Sequence, residues 1–248
     1  MQHLIVPDVH GRKFWEEIKK YEDVPCIFLG DYIDPYTDLD GITSEESIEV
    51  LKDIITYAKS HKNVKLLLGN HDLEYSISLG ASKCRYDYKN AKTIHEIFED
   101  NSELFDIAYE FKVGDKRFFC THAGIHYSWY ENYREILGET YSDAFNAEKL
   151  NKLFHEKNED FINSLASVAY IRGGWNRAGS IVWCDAREFV TMEYMTKPDD
   201  NTVQVVGHTQ LKQPLLENVF KEIVFLDARR CFYVDDNGTL KELKNGDD

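Results

Sequence analysis

The 248-residue chain lacks several things, and each absence closes off a class of protein. No stretch approaches eighteen consecutive apolar residues, so no membrane-spanning helix is expected. Internal repeats, low-complexity tracts and linker-like segments are missing, which leaves a single domain over 1–248 as the expected organisation. The five cysteines are scattered singly, with no CxxC pair. A strand-like run begins almost at the first residue and leaves no room for a signal peptide. An odd number of cysteines without such a signal points to reduced thiols and a cytoplasmic location. Positive charge is also scarce: 29 Lys and Arg stand against 44 Asp and Glu, for a net charge of −15. The basic footprint that strong nucleic-acid binding requires is therefore absent. Much of the acid reads as solvated surface, as in KNED (157–160) and the Asp247-Asp248 tail.

What is present begins with 43% hydrophobic residues, enough for a substantial core. The first half alternates strand-like and helix-like segments. Residues 4–6, 26–29 and 64–68 read as strands, with the amphipathic stretch FWEEIKK after the first. Thr43 and Glu46 have capping-box spacing, and Ile48, Leu51, Ile55 and Ala58 then form one helical stripe. A β-α-β-α-β order implies parallel strands with right-handed crossovers. Residues 107–121 read as a hairpin about Gly114-Asp115, and 126–180 as a helical insertion rich in aromatics. Strands resume at 203–206, 223–226 and 231–234, and Asn237-Gly238 turns the chain into a last strand. The expected class is mixed α/β.

Five apolar runs end in polar motifs. LIVP precedes Asp8-Val9-His10, and CIFLG precedes Asp31-Tyr32-Ile33-Asp34. VKLLLG precedes Asn70-His71-Asp72, FFCT precedes His122-Ala123-Gly124, and VQVVG precedes His208-Thr209. Carboxylate, imidazole and amide groups are ligands for hard-to-borderline divalent metals. Ligands of open α/β folds gather at the carboxyl ends of the strands. Asp8 and His10, two apart, would share one face of a strand and hold one ion together with Asp31. Asp31 would bridge through its two carboxylate oxygens to a second ion, completed by Asn70, His122 and His208. Two ions about 3.5–4 Å apart clamp a phosphoryl group and acidify water. Part of the chain's acidity then serves these cations. His71 points away from Asn70 and is the candidate general acid, with Asp34 as the carboxylate that orients it and Asp72 as a weaker candidate for that task.

The ordered series D-V-H-G, G-D-Y-I-D, G-N-H-D, T-H-A-G and G-H-T, from 8 to 209, resembles the calcineurin-like metallophosphoesterase superfamily. That resemblance implies a four-layer α/β/β/α sandwich and a dinuclear centre of divalent ions, Mn first, with Fe or Zn as alternatives. It implies hydrolysis by a metal-bridging hydroxide, with Asp8, His10, Asp31, Asn70, His122 and His208 as ligands and His71 as acid. The D-x-H-G opening, and a G-H-T ending without a second histidine, are similar to the serine/threonine phosphoprotein phosphatase branch. Ile181-Val182-Trp183-Cys184-Asp185 is similar to a segment of that branch and of lambda-type phage phosphatases. The resemblance thus implies a phosphorylated protein or a small phosphoester as substrate. One position departs from it. Where that branch places a phosphate-gripping arginine after the second motif, this chain has Pro35, which carries no donor. Arg172, flanked by glycines in IRGGW, is the expected replacement, with Asn70 as a further phosphate contact.

A nucleotide-directed hydrolase of the same fold is the alternative: a dinucleoside-polyphosphate hydrolase, a cyclic phosphodiesterase or a nucleic-acid end phosphatase. The Pro35 departure favours it, while the acidic charge and the missing second histidine count against it. A non-catalytic scaffold is the third reading, disfavoured because every ligand position is filled. Taken singly, Asp-x-His is commonly a surface pair and each histidine a turn residue, and Gly30, Gly69 and Gly207 need only end strands. The aromatic run at 127–133 reads as packing, and Arg187, Arg229 and Arg230 read as salt-bridge partners.

Overall fold

The computed structural model of the protein describes residues 1–77, 84–189, 198–213 and 223–244. The Asp247-Asp248 tail, read above as acidic surface, lies outside the described residues. Residue contacts gather into two compact units, Met1–Phe105 with Arg229–Asp248, and Asp106–Ala228. Each unit is built on its own sheet, and the α/β class read from the sequence is the class observed.

The first sheet has the order β10-β9-β1-β2-β3-β4. β1 (His3–Val6), β2 (Cys26–Phe28) and β3 (Val64–Leu67) are parallel, in the register Leu4 to Cys26 to Val64. β9 (Phe232–Val234) runs antiparallel to β1, and β10 (Leu240–Glu242) antiparallel to β9. β4 is the two-residue strand Phe105–Asp106. The parallel strands carry apolar residues on both faces: Leu4, Ile5, Val6, Ile27, Phe28, Leu66 and Leu67 are all buried. Continuous apolar runs of this kind are what a covered parallel sheet selects. Burying each such side chain contributes about 1.5–3 kcal/mol.

After the one-turn α1 (Thr37–Asp40) comes the crossover helix α2 (Ser44–Ser60), which starts where the capping signal placed it. The Thr43 hydroxyl accepts from the Glu46 N–H, and the Glu46 carboxylate accepts from the Thr43 N–H at 2.8 Å. Its stripe of Ile48, Leu51, Ile55 and Ala58 is buried, and the helix packs on β3. FWEEIKK forms a 3-10 helix, Phe14–Lys20, with Trp15 and Ile18 buried. Residues three apart stack on one line at three residues per turn, so the short amphipathic pattern is met by the tighter helix. α3 (Asn70–Ser76) follows β3 after Leu68 and Gly69, and packs against α4 (Ala91–Glu99).

The second sheet has the order β5-β6-β7-β8. β5 (Ala108–Val113) and β6 (Lys116–Thr121) form the hairpin expected about Gly114, which has φ +58°. β7 (Thr202–Val206) and β8 (Ile223–Phe225) continue the sheet in parallel. The insertion contains α5 (Tyr127–Leu137), α6 (Ala147–His155) and α7 (Glu159–Leu165), and α6 packs on β5. Its helical part ends sooner than expected, at the 3-10 turn Tyr170–Arg172. Gly173 is left-handed there, and a side chain on Gly174 would collide with the Val168 carbonyl. The aromatics at 127–133 pack as expected. Trp129 is buried and donates Nε1–H to the Ser164 carbonyl at 3.1 Å, and the Tyr130 hydroxyl donates to the Glu139 carbonyl at 2.8 Å. A short helix α8 (Ala186–Phe189) follows.

Candidate active site

In the first unit, three loops at the carboxyl ends of β1, β2 and β3 carry the polar motifs. Asp8, His10, Asp31, Asp34, Asn70, His71 and Asp72 are all buried. Six described residues other than glycine have positive φ, and three of them are His10 (+46°), Asp31 (+54°) and Asp34 (+58°). Left-handed backbone costs an L-residue about 1–2 kcal/mol. Such strain persists only where the surroundings over-determine it, and it clusters at functional sites. The strand-alternation argument for Asp8 and His10 does not hold. β1 ends at Val6, so both residues lie in the following loop, and His10 is turned by its own backbone rather than by a pleat.

The loops are tied by backbone donors. Asp72 accepts from the N–H groups of Asp31 (2.6 Å), Tyr32 (3.0 Å) and Gly69 (2.8 Å). It therefore fastens the β2 loop to the β3 loop rather than orienting His71. Asp31 Oδ1 accepts from the His71 N–H at 3.0 Å. The other oxygen, Oδ2, faces His10 Nε2 at 3.6 Å. The two carboxylate oxygens thus have different partners, one a backbone N–H and the other the His10 ring. Two glycines permit this approach. A methyl on Gly69 would collide with Asp31 Oδ1, and one on Gly30 would collide with the Gly69 N–H. These glycines do more than end strands.

The imidazoles are oriented from behind. His10 Nδ1 donates to the Ile33 carbonyl at 2.8 Å. A carbonyl only accepts, so the lone pair of His10 resides on Nε2. Burial drives the His10 pKa well below its ordinary value, outweighing the nearby Asp31 charge, and His71 and Arg85 push the same way. A neutral Nε2 facing a carboxylate oxygen brings two electron-rich atoms together, the arrangement a divalent cation draws in. His71 Nδ1 lies 2.7 Å from Asp34 Oδ2, and Tyr75 donates to Asp34 Oδ1 at 2.6 Å. The His71–Asp34 pair expected from the sequence is therefore in contact. His10, Asp31 and His71 each offer one ligand-type atom, and these lie within 4.8 Å of one another. Asn70 donates Nδ2 to Cys84 Sγ at 3.2 Å.

In the second unit, His122 follows β6 and His208 follows β7. Both are buried, with His122 Nε2 3.2 Å from His208 Nδ1. His208 also has positive φ, +60°, and its ring lies edge-on to Trp183. Arg172 Nε pairs with Asp185 Oδ2 at 2.6 Å, and its Nη2 donates to Thr209 Oγ1 at 3.3 Å. Burial pushes the Asp185 carboxyl up, but hydrogen bonds from Arg187 and the charge of Arg172 hold it below its ordinary value. The glycines beside Arg172 serve the turn described above, and its guanidinium is held alongside the His208 loop. Arg187 with Asp185, Arg229 with Asp40, and Arg230 with Glu242 form the salt bridges expected of them.

Sequence reasoning passed over Arg85. Its Nη2 donates to the Asp34 carbonyl at 2.7 Å, and its Cζ stands 3.5 Å over the Tyr36 ring. It lies thirteen residues past Asp72, in no motif and no helical stripe, and only the folded loop brings it here.

Comparison with known proteins gives one family. The family model for the calcineurin-like phosphoesterase matches residues 2–212. Among solved structures, a hypothetical protein of Pyrococcus horikoshii OT3 is 12% identical, covering 97% of this chain and 86% of its own, with a TM-score of 0.45. A search of curated proteins found no match. The matched span takes in every motif from Asp8 to Thr209, and on that match the chain belongs to the calcineurin-like phosphoesterase family.

Proposed function

We propose that the protein is a metal-dependent phosphomonoesterase of the serine/threonine phosphatase type, acting on a phosphorylated protein or a small phosphoester. Membership of the family makes it a phosphoester hydrolase that works with divalent metal. Acid-assisted hydrolysis is supported by the buried pair of His71 Nδ1 and Asp34 Oδ2 at 2.7 Å beside the His10–Asp31 cluster, and the monoester preference by the D-x-H-G opening and the G-H-T ending without a second histidine.

The ligand set proposed is Asp8, His10, Asp31, Asn70, His122 and His208, for two ions with Mn as first choice. When bound, the ions supply Lewis acidity at the phosphoryl group and acidify water. The rest of the chemistry belongs to the side chains. His71 holds a proton on Nε2 and delivers it to the leaving oxygen. Asp34, 2.7 Å from Nδ1, fixes the orientation of the ring. Tyr75, bonded to Asp34 Oδ1, keeps that carboxylate from rotating away. Asn70 and Arg172 are retained as phosphate contacts. No helix among the described residues is long and apolar enough to cross a membrane. We place the protein in the cytoplasm on its five unpaired cysteines.

Purified protein loaded with Mn²⁺ is to be assayed on p-nitrophenyl phosphate, bis-p-nitrophenyl phosphate, phosphopeptides and dinucleoside polyphosphates. Turnover of the monoester and of phosphopeptides is expected. Preference for the diester or the dinucleotide overturns the monoester reading in favour of a nucleotide-directed hydrolase. Tight metal binding without turnover leaves the scaffold.

A further inference from the structure

The loop Asp34–Leu39 borders a cavity of about 540 Å³, lined also by Arg85 and Lys89. This cavity adjoins the reactive cluster. Asp34 is both its wall and the partner of His71, and the Tyr36 ring meets the His10 ring edge-on at 5.2 Å. Among the described residues three cations, Arg12, Arg85 and Lys89, lie beside Tyr36 or the cavity, and two are spent on acids. Arg12 binds Asp40 through Nε (2.9 Å) and Nη2 (2.7 Å), and Lys89 binds Glu45 at 2.5 Å. Arg85 pairs with no carboxylate among the described residues. Its one hydrogen bond there, to the Asp34 carbonyl, and its stacking on Tyr36 fix the guanidinium plane and leave Nη1 and Nε without a hydrogen-bond partner among the described residues. Pro35, between these two anchors, brings no donor of its own.

We propose that Arg85 grips the phosphoryl group of the substrate, binding a monoester dianion through the guanidinium edge not used on Asp34. The inference rests on the phosphoesterase reading and deepens it. A planar guanidinium held by a carbonyl and an aromatic face is pre-organised for two parallel bonds to phosphoryl oxygens. Its place beside Asp34 and Tyr36 sets those oxygens next to His71 and His10, where the proton is needed.

The test compares wild type, Arg85→Ala, Arg85→Lys and Arg172→Ala, all loaded with Mn²⁺. Binding of inorganic phosphate is measured by titration calorimetry, Mn content by elemental analysis, and kcat and KM on p-nitrophenyl phosphate. Arg85→Ala is expected to weaken phosphate binding and raise KM by about tenfold, the loss of one charge-assisted contact pair, with Mn content unchanged. Arg85→Lys keeps the charge without the fork and falls between, and it carries the test if Arg85→Ala does not fold. Arg172→Ala, whose guanidinium is tied to Asp185, is expected to change phosphate binding less. Equal phosphate affinity in wild type and Arg85→Ala overturns the proposal, as does loss of Mn in that variant. Arginine-dependent phosphate binding in a wild type that turns nothing over would break the hydrolase reading and leave the assignment of Arg85 standing.

Discussion

The two units orient their histidines by different means. In the first, each imidazole is backed by an oxygen: His10 by the Ile33 carbonyl and His71 by the Asp34 carboxylate. In the second, His122 and His208 face each other, nitrogen to nitrogen at 3.2 Å. Of these four rings, His71 is the one we assign as general acid, with Asp34 Oδ2 2.7 Å from its Nδ1. In the second unit Asp185 is paired with Arg172 and with Arg187.

The strongest way to break this contrast is His71→Asn. Loss of the general acid is expected to lower kcat by about 10²–10⁴-fold while Mn content stays at the wild-type level. His71 lies at ligand distance from His10 and Asp31, so a variant that loses its metal would show the ring to be a ligand. Both units would then do the same job.

Gly69→Ala sharpens the comparison by striking only the first unit. Its methyl would drive Asp31 from its place on the His71 N–H. Overpacking against backbone is expected to cost about 3 kcal/mol in denaturant unfolding, together with a weakened metal titration. Stability and metal affinity equal to wild type would mean that the loops separate freely, and that Asp31 is not held by close approach.

The smallest effect belongs to the second unit. His126 caps α5, accepting at Nδ1 from the Ser128 N–H at 3.0 Å, and burial lowers its pKa to about 4. The unfolded chain takes up this proton near pH 6.5, while the folded chain refuses it until about pH 4. The stability it contributes is therefore complete above pH 6.5 and is lost as pH falls toward 4. By pH 5 the loss amounts to about 1–2 kcal/mol. His126→Gln removes this term, so the fall in unfolding free energy between pH 7 and pH 5 should shrink by that amount. An unchanged slope would show that His126 does not titrate on unfolding.

Much of the architecture was legible because its signals are local. The Thr43–Glu46 capping box, the Gly114 and Asn237-Gly238 hairpins and the doubly buried runs of β1, β2 and β3 each follow from contacts within a few residues. The proximity of Asp34 to His71 was also legible, because adjacent parallel strands bring their carboxyl ends together. Side-chain direction beyond a strand end was not. His10, Asp31 and Asp34 leave the pleat through left-handed backbone, so alternation says nothing about where they point. The role of Asp72 was hidden for a related reason. The three partners named above are backbone N–H groups, which carry no residue-specific mark.

By itself, the order of residues determined which strands form, which pair in parallel, and which ligand-type groups stand at their ends. Those outcomes depend on periodicity, turn chemistry and residue type, all written along the chain. Tertiary structure alone decided which oxygen of Asp31 faces His10, which glycine makes room for it, and that Arg85 stands over Tyr36 beside Asp34. Each of these is a contact between segments far apart in sequence, set by close packing and by backbone donors that have no one-letter code.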